Sequence, residues 1–385
     1  MRINFLTQSR TVNDQQISEP TVLALVLTVL GFIVLLVICV VAMAGLPAFG
    51  YLGWILTAVA AIWVWLSLSL RNKSKDKPLS LTSRQQWFHR ILRGARWVFL
   101  SLFSLWLGLL LWLVVCPGGP EPPAKTDASL IRVVTWNIHC GQEEGVPWKQ
   151  FDWPVRKYAL QAALDQAKPD ILCVQEATPE QVAFLEQVLS GHRRIGVGRD
   201  DGKSGGEHCA IYVNRDRFKE IANKTFWLEE PIDQPRPGSA LDIKRICTWV
   251  RLRDRLTRRT LRVYNTHLYL TEAPRWTAAK LILADIAASD PQDAIVLTAD
   301  FNASPTAPSR RLFSESGRLQ DSAARAGKPV GQPTFQLYGI GLWCIDGILV
   351  DQHWRVDKHL ILDVKPKNTF PSDHFAILVD LALAE

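Results

Sequence analysis

The stretch I-V-L-T-A-D-F-N, Ile295 to Asn302, is a strand-forming run that turns polar at its end, where Asp300 and Asn302 stand. The same construction recurs along the chain. Val133 to Trp136 leads to Asn137, Ile171 to Gln175 leads to Glu176, and Val263 to Thr266 leads to His267. Asp346 opens a further run, and Ser372-Asp373-His374 directly precedes the last one. Strands lying side by side bring their ends to one edge, so carboxylates, amides and imidazoles at equivalent ends gather in one cleft.

From Ser129 to Glu385 short β-rich runs alternate with helical stretches, which predicts a layered α/β domain. Strands are expected at Ile131 to Trp136, Ile171 to Gln175, Ala210 to Val213, Ile246 to Leu252, Leu261 to Thr266, Ala294 to Thr298, Ile345 to Val350 and Ala376 to Leu381. Helices are expected at Val155 to Gln166, Pro179 to Leu189, Arg275 to Ala288 and Pro308 to Glu315. No internal repeat interrupts this pattern.

Residues 1–116 have a different composition. Val22 to Met43, Tyr51 to Leu70 and Trp97 to Cys116 each run about 20 residues without a charged side chain, enough to cross roughly 30 Å of hydrocarbon. They predict an all-α region of three transmembrane helices, hence an integral membrane protein. Between Arg71 and Arg96 eight basic residues face one acid, Asp76, a surplus of seven that matches the net charge of the whole chain. The positive-inside rule keeps this loop and the N-terminus cytoplasmic and puts the C-terminal domain outside. Residues 117–128, with P-G-G-P-E-P-P-A-K from Pro117, are read as a stiff stalk, because repeated proline blocks a helix.

With the basic surplus confined to that loop, the domain is near neutral, which argues against a broad polyanion-binding surface. The seven cysteines are scattered and form no C-x-x-C pair, so they are read as mostly buried thiols without a zinc site. The strand-end residues suit phosphoester hydrolysis. That reaction needs a hard cation held by oxygen, donors to the phosphoryl oxygens, and a base for water. Glu176, Asn137 and Asp373 offer the oxygens, which favours Mg²⁺ or Mn²⁺. His267, His374 and Asn302 offer donors, and Asp300 a base. Taken singly, Asn137 also reads as a turn residue, Glu176 as a helix-start charge and His267 as a satisfied strand-end histidine.

With T-W-N-I-H (Thr135 to His139), V-Q-E (Val174 to Glu176), N-T-H-L (Asn265 to Leu268), A-D-F-N (Ala299 to Asn302), I-D-G-I-L (Ile345 to Leu349) and S-D-H (Ser372 to His374) in order, the chain resembles the endonuclease/exonuclease/phosphatase superfamily. G-R-D-D-G (Gly198 to Gly202), G-E-H-C-A-I-Y (Gly206 to Tyr212), F-W-L (Phe226 to Leu228) and R-I-C-T-W (Arg245 to Trp249) are similar to its bacterial branch. The resemblance implies a four-layer α/β/β/α sandwich with the site at one edge of two sheets. It implies Glu176 as metal ligand with Asn137 and Asp373 close by, Asp300 positioning water, Asn302 on phosphate, and His267 and His374 on the transition state. Glu207 would orient His267, and Asp346 would orient His374. Ala299 replaces the usual glycine before D-F-N, Gly347 the usual aromatic after Asp346, and Tyr269 the frequent acid after H-L. Arg275 reads either as a phosphate contact or as a first-turn surface arginine.

The implied activity is a phosphatase or phosphodiesterase acting outside the cytoplasm on a phosphorylated lipid or envelope metabolite. The layout resembles the three-span members of the superfamily associated with glycopeptide resistance, which implies a lipid pyrophosphate among the candidates. A tethered DNA or RNA nuclease using the same site is the alternative, less favoured by the balanced charge. A third reading is an inactive binding module, but Glu176, Asp300 and His374 are all present.

Overall fold

The computed structural model describes residues 118–141, 152–235, 243–337 and 339–384, with isolated helical positions between 97 and 108. The first two expected spans lie outside the described residues, as does most of the third. Among the described residues no helix is long and apolar enough to cross a membrane. The chain divides into Met1–Val114 and Val115–Glu385, and the second unit carries the fold that follows.

Its elements, in order, are β1 (Ile131–Asn137), α1 (Trp153–Ala167), β2 (Ile171–Ala177), α2 (Pro179–Val188), β3 (His192–Ile195), β4 (His208–Asn214), β5 (Phe218–Trp227), β6 (Ile246–Asp254) and β7 (Thr260–His267). Then come α3 (Glu272–Ala287), β8 (Ala294–Asp300), α4 (Pro308–Glu315), β9 (Gln320–Asp321), α5 (Ser322–Arg325), β10 (Phe335–Leu337), β11 (Ile340–Trp343), β12 (Asp346–Val350), β13 (Trp354–Leu362) and β14 (Ala376–Leu383). One six-stranded sheet has the order β13-β14-β1-β2-β4-β3, and a second has β5-β6-β7-β8-β12-β9. β1 pairs parallel with β2 and β7 parallel with β8, while the other neighbours are antiparallel.

Alternation along the central strands builds the layers, because successive side chains leave a strand on opposite faces. Val133, Cys173 and Ile211 of the first sheet meet Val250, Val263 and Val296 of the second in a buried core between the sheets. Their neighbours Val134, Leu172 and Ala210 turn outward against Leu160 and Leu164 of α1 and Leu185 of α2. On the other side Tyr264, Ile295 and Leu297 pack on Ile282 and Ile286 of α3 and Phe313 of α4. The result is a mixed two-sheet domain in four layers, α/β/β/α.

Residues 118–128, read from sequence as a stalk, lie against this domain. Gly119 N–H donates to the Asp363 carbonyl at 3.0 Å, and Lys125 Nζ donates to Asp170 Oδ2 at 2.7 Å. Arg132 reaches the Pro123 carbonyl at 2.9 Å, and its guanidinium forks onto Asp380 at 2.7 and 2.8 Å with both side chains buried. A buried bidentate pair costs most when one partner alone is removed, because the other charge stays desolvated. Asp380→Asn is therefore expected to cost about 3 kcal/mol, read from the urea midpoint. A loss below about 1 kcal/mol would mean that the pair behaves like a solvated one.

Candidate active site

Two parallel pairs place chemistry at one edge. Asn137 at the end of β1 is the register partner of Gln175, next to Glu176. His267 at the end of β7 is the partner of Asp300, and Asp300 is also the partner of Asp346 on β12. Around the strand ends the backbone turns left-handed, with φ of 55° at His139, 61° at Glu176 and 49° at Asn302. Such conformations cost residues with a Cβ roughly 1–3 kcal/mol each, and here they turn side chains toward the cleft.

Asn137 Nδ2 donates to Glu176 Oε1 at 2.9 Å and to Asp300 Oδ2 at 2.8 Å. The other Asp300 oxygen accepts from Asn302 N–H at 2.9 Å, and His267 Nε2 is 3.5 Å from Asp300 Oδ2. Asp346 Oδ2 lies 2.8 Å from His374 Nδ1. Ser372 Oγ donates to the Asn137 carbonyl at 2.6 Å and accepts from His374 N–H at 3.1 Å, tying the last motif to the first. Near Glu176, His139 Nδ1 stands 3.8 Å from Glu176 Oε2 and 3.4 Å from Asp373 Oδ2.

The surroundings split the titratable groups. Burial disfavours charge on His374, but Asp346, Asp300 and Asp373 outweigh it and hold the imidazole well above its usual range. Burial, seconded by Arg245, pushes His267 well below it, so this ring is neutral at pH 7. Burial also opposes charge on Glu176, yet His267, the Asn137 amide, His374 and His139 bring its carboxyl down to about 2. With His267 itself neutral, the amide and the charged His374 carry that effect. Burial and the adjacent Asp346 push Asp300 up to about 7, against the pull of His374 and two hydrogen bonds. A charged donor, a neutral imidazole and a carboxyl near neutrality side by side form an acid and base set.

Four residues named from sequence make contacts that the sequence reading did not include. Asn137 turns its amide nitrogen, not its oxygen, toward the two carboxylates, while Oδ1 accepts from His139 N–H at 3.0 Å. Glu207 pairs with Arg199 Nη1 at 2.5 Å, and His267 Nδ1 is buried without a hydrogen-bond partner. A nearby guanidinium compensates a buried carboxylate better than a neutral imidazole does. Asn302 Nδ2 contacts His267 Nε2 at 2.9 Å and the Leu268 carbonyl at 3.0 Å, so its amide braces His267. Arg275 donates to the Asn302 and Leu270 carbonyls and to Glu272, which makes it a support of the Asp300 to Asn302 turn.

Several residues of the site have no clear signal in sequence. Buried Arg156 of α1 donates to the Ile138, His139 and Pro371 carbonyls and so holds two motif loops together. Arg245 is buried with Nε and Nη1 unpartnered. Arg310 stacks 4.6 Å over the Phe301 ring and donates to the Asp346 carbonyl. A Cβ on Gly347 would meet Arg310 Nη2 at 2.7 Å and Phe301 at 3.0 Å, which explains the lost aromatic there. The β10–β11 hairpin stacks Phe335 on exposed Trp343 with ring centroids 5.2 Å apart, and Phe335 meets the His374 ring edge-on with centroids also 5.2 Å apart. His139 does stand within the quoted T-W-N-I-H, two residues past Asn137.

Two clusters gather this chemistry within 4.8 Å, Glu176 with His267 and Asp300, and Asp300 with Asp346 and His374. The profile described as the Endonuclease/Exonuclease/phosphatase family matches residues 134–374, nearly the whole of this domain. The chain belongs to that family, whose members are typically metal-dependent hydrolases of phosphoesters. Nocturnin of Xenopus laevis is 24% identical over 293 residues, covering 66% of this chain and 73% of that protein. A mannosyl-6-phosphatase of Bacteroides thetaiotaomicron is 26% identical with a TM-score of 0.60, covering 66% of this chain and 100% of that one. The human Nocturnin catalytic domain with bound sulfate shares the fold at a TM-score of 0.55 and 21% identity, over 68% of this chain and 96% of that domain.

Two measurements follow. Without added cation, a carboxyl infrared band should titrate near pH 7, protonated below and ionised above. It should vanish in Asp300→Asn, and a bound cation should move it to lower pH by favouring the charged form. A band that stays at ordinary carboxylate pH would remove the argument for Asp300 as a tuned base. Trp343→Ala should raise KM about tenfold with little change in kcat, since an exposed ring next to the site supplies contact area and no proton. A fall in kcat alone would place the ring in the chemistry instead.

Proposed function

We propose that the chain is a membrane-anchored phosphoester hydrolase, with Mg²⁺ or Mn²⁺ as its cation, that acts outside the cytoplasm on a phosphate carried by a lipid or envelope metabolite. The observation that carries the chemistry is the contrast around Asp300, with Asp346-paired His374 charged and Asn302-braced His267 neutral. The low-lying Glu176 carboxyl and the Asp373 carboxylate are hard oxygen donors that suit such a cation. Bound there, the cation would polarise a phosphoryl oxygen and offset the charge that develops on it. His374 would donate to another phosphoryl oxygen, and Asp300, ionised above about pH 7, would take a proton from the attacking water. His267 would offer a neutral ring held in place by Asn302.

The placement rests on the three uncharged apolar runs and the basic loop of the N-terminal region. The near-neutral domain and a structural neighbour named as a mannosyl-6-phosphatase support a small or lipid-linked phosphate over nucleic acid. The test uses the full-length protein in detergent with Mg²⁺, comparing phosphate release from an isoprenyl pyrophosphate and a sugar phosphate with nicking of plasmid DNA. Release from the lipid substrate is expected, and His374→Ala should lower kcat by about 10²–10⁴-fold. Nicking without phosphate release would make the protein a tethered nuclease, and full turnover by His374→Ala would remove the mechanism.

A further inference from the structure

We infer that His139 Nδ1 is a direct ligand of the cation held by Glu176 and Asp373, and that this nitrogen donor shifts the site's preference from Mg²⁺ toward Mn²⁺. The inference rests on the hydrolase reading for the existence of the cation site, and on this chain's own geometry for the ligand. His139 Nδ1 lies 3.4 Å from Asp373 Oδ2 and 3.8 Å from Glu176 Oε2. Neighbouring ligand atoms of a six-coordinate cation with bonds near 2.1 Å stand about 3 Å apart, so a small contraction brings all three donors onto one ion. His139 and Glu176 also belong to a cluster, with Cys140, whose ligand atoms lie within 4.8 Å of one another.

The ring is held where it is by its backbone. His139 takes a left-handed conformation at φ 55°, its N–H donates to Asn137 Oδ1, and its carbonyl accepts from Arg156 and from Gln181 at 2.8 Å. Gln181 in turn belongs to the capping box of α2. Helix α1, helix α2 and the end of β1 thus converge on one residue whose side chain, 13% exposed, looks onto two carboxylates. Asn137 turns its oxygen away from Glu176, which leaves room for a donor of another kind. Imidazole nitrogen binds first-row transition ions better than it binds Mg²⁺, which prefers oxygen and retains water.

The decisive experiment is electron spin echo spectroscopy of Mn²⁺ on the full-length protein in detergent, without substrate, beside competition of Mg²⁺ against Mn²⁺. A ¹⁴N modulation from coordinated imidazole is expected, abolished in His139→Asp and kept in His374→Gln. His139→Asp, an oxygen donor, should lower the Mn²⁺ over Mg²⁺ preference at least about tenfold. A wild-type spectrum without ¹⁴N coupling overturns the assignment whether or not any variant folds. Coupling that survives in His139→Asp, or that disappears in His374→Gln, gives the nitrogen to another histidine and overturns it equally. Nitrogen-coupled Mn²⁺ in a protein that neither releases phosphate nor nicks DNA would sink the hydrolase reading while leaving the ligand in place.

Discussion

The amide nitrogen of Asn137, set between Glu176 and Asp300, is the contact on which the rest of the cleft depends. Asn137 and Glu176 belong to one sheet and Asp300 to the other, so the bond to Asp300 crosses between the sheets at this end while the bond to Glu176 holds the amide in place. Two carboxylates facing each other across an apolar interlayer would repel, and one donor shared between them turns that repulsion into a tie. Behind it, Gln175 Nε2 donates to Asn265 Oδ1 at 2.6 Å, and Asn265 Nδ2 reaches back to the Val174 and Ala210 carbonyls. The sheets therefore meet through oil along most of their length and through a paired polar layer beneath the site. Such a layer fixes their offset, because shifting it would leave buried donors unmet.

That offset makes the three left-handed residues tolerable. His139, Glu176 and Asn302 adopt a conformation that asparagine and histidine visit more readily than glutamate but that strains all three. Each is overdetermined by neighbours: His139 by Arg156 and Gln181, Glu176 by Asn137 and Cys140 N–H, and Asn302 by Arg275 and Leu268. The surrounding hydrogen bonds oppose the strain, and each strand ends with its side chain aimed at a common point. Arg156 and Arg275 thus act on the site through the backbone.

The central strands were legible because they are covered on both faces, and continuous apolar runs such as Ile171 to Val174 have no other home in a domain of this size. The strands that sequence reading missed are β3, β5, β9, β13 and the β10–β11 hairpin. The first four are the outermost strands of the two sheets. An edge strand has one paired side and a solvated one, and charges such as those of H-R-R-I and F-K-E-I protect it from further pairing. The same charges erase the alternation by which a strand is recognised. The strand-end residues were legible for the opposite reason, since a polar side chain closing an apolar run stands out.

Pairings between side chains were less legible, because they depend on which partner wins locally. The turn from Gly198 to Glu207 is tightened by Asp201 accepting from Lys203 and Gly205 N–H, and it delivers Arg199 to Glu207 before His267 can compete. Burial then decides the charges: Arg199 and Arg245 near His267 keep that ring neutral, while Asp346, Asp300 and Asp373 near His374 keep that one charged. Two histidines of equal intrinsic basicity are driven apart by the carboxylates and guanidiniums chosen for them. A cation bound at Glu176 and Asp373 would enter this balance as one more positive charge, favouring an ionised Asp300 and weakening the pull that charges His374. Binding of a cation beside Glu176 would therefore favour release of a proton from Asp300, a different carboxyl.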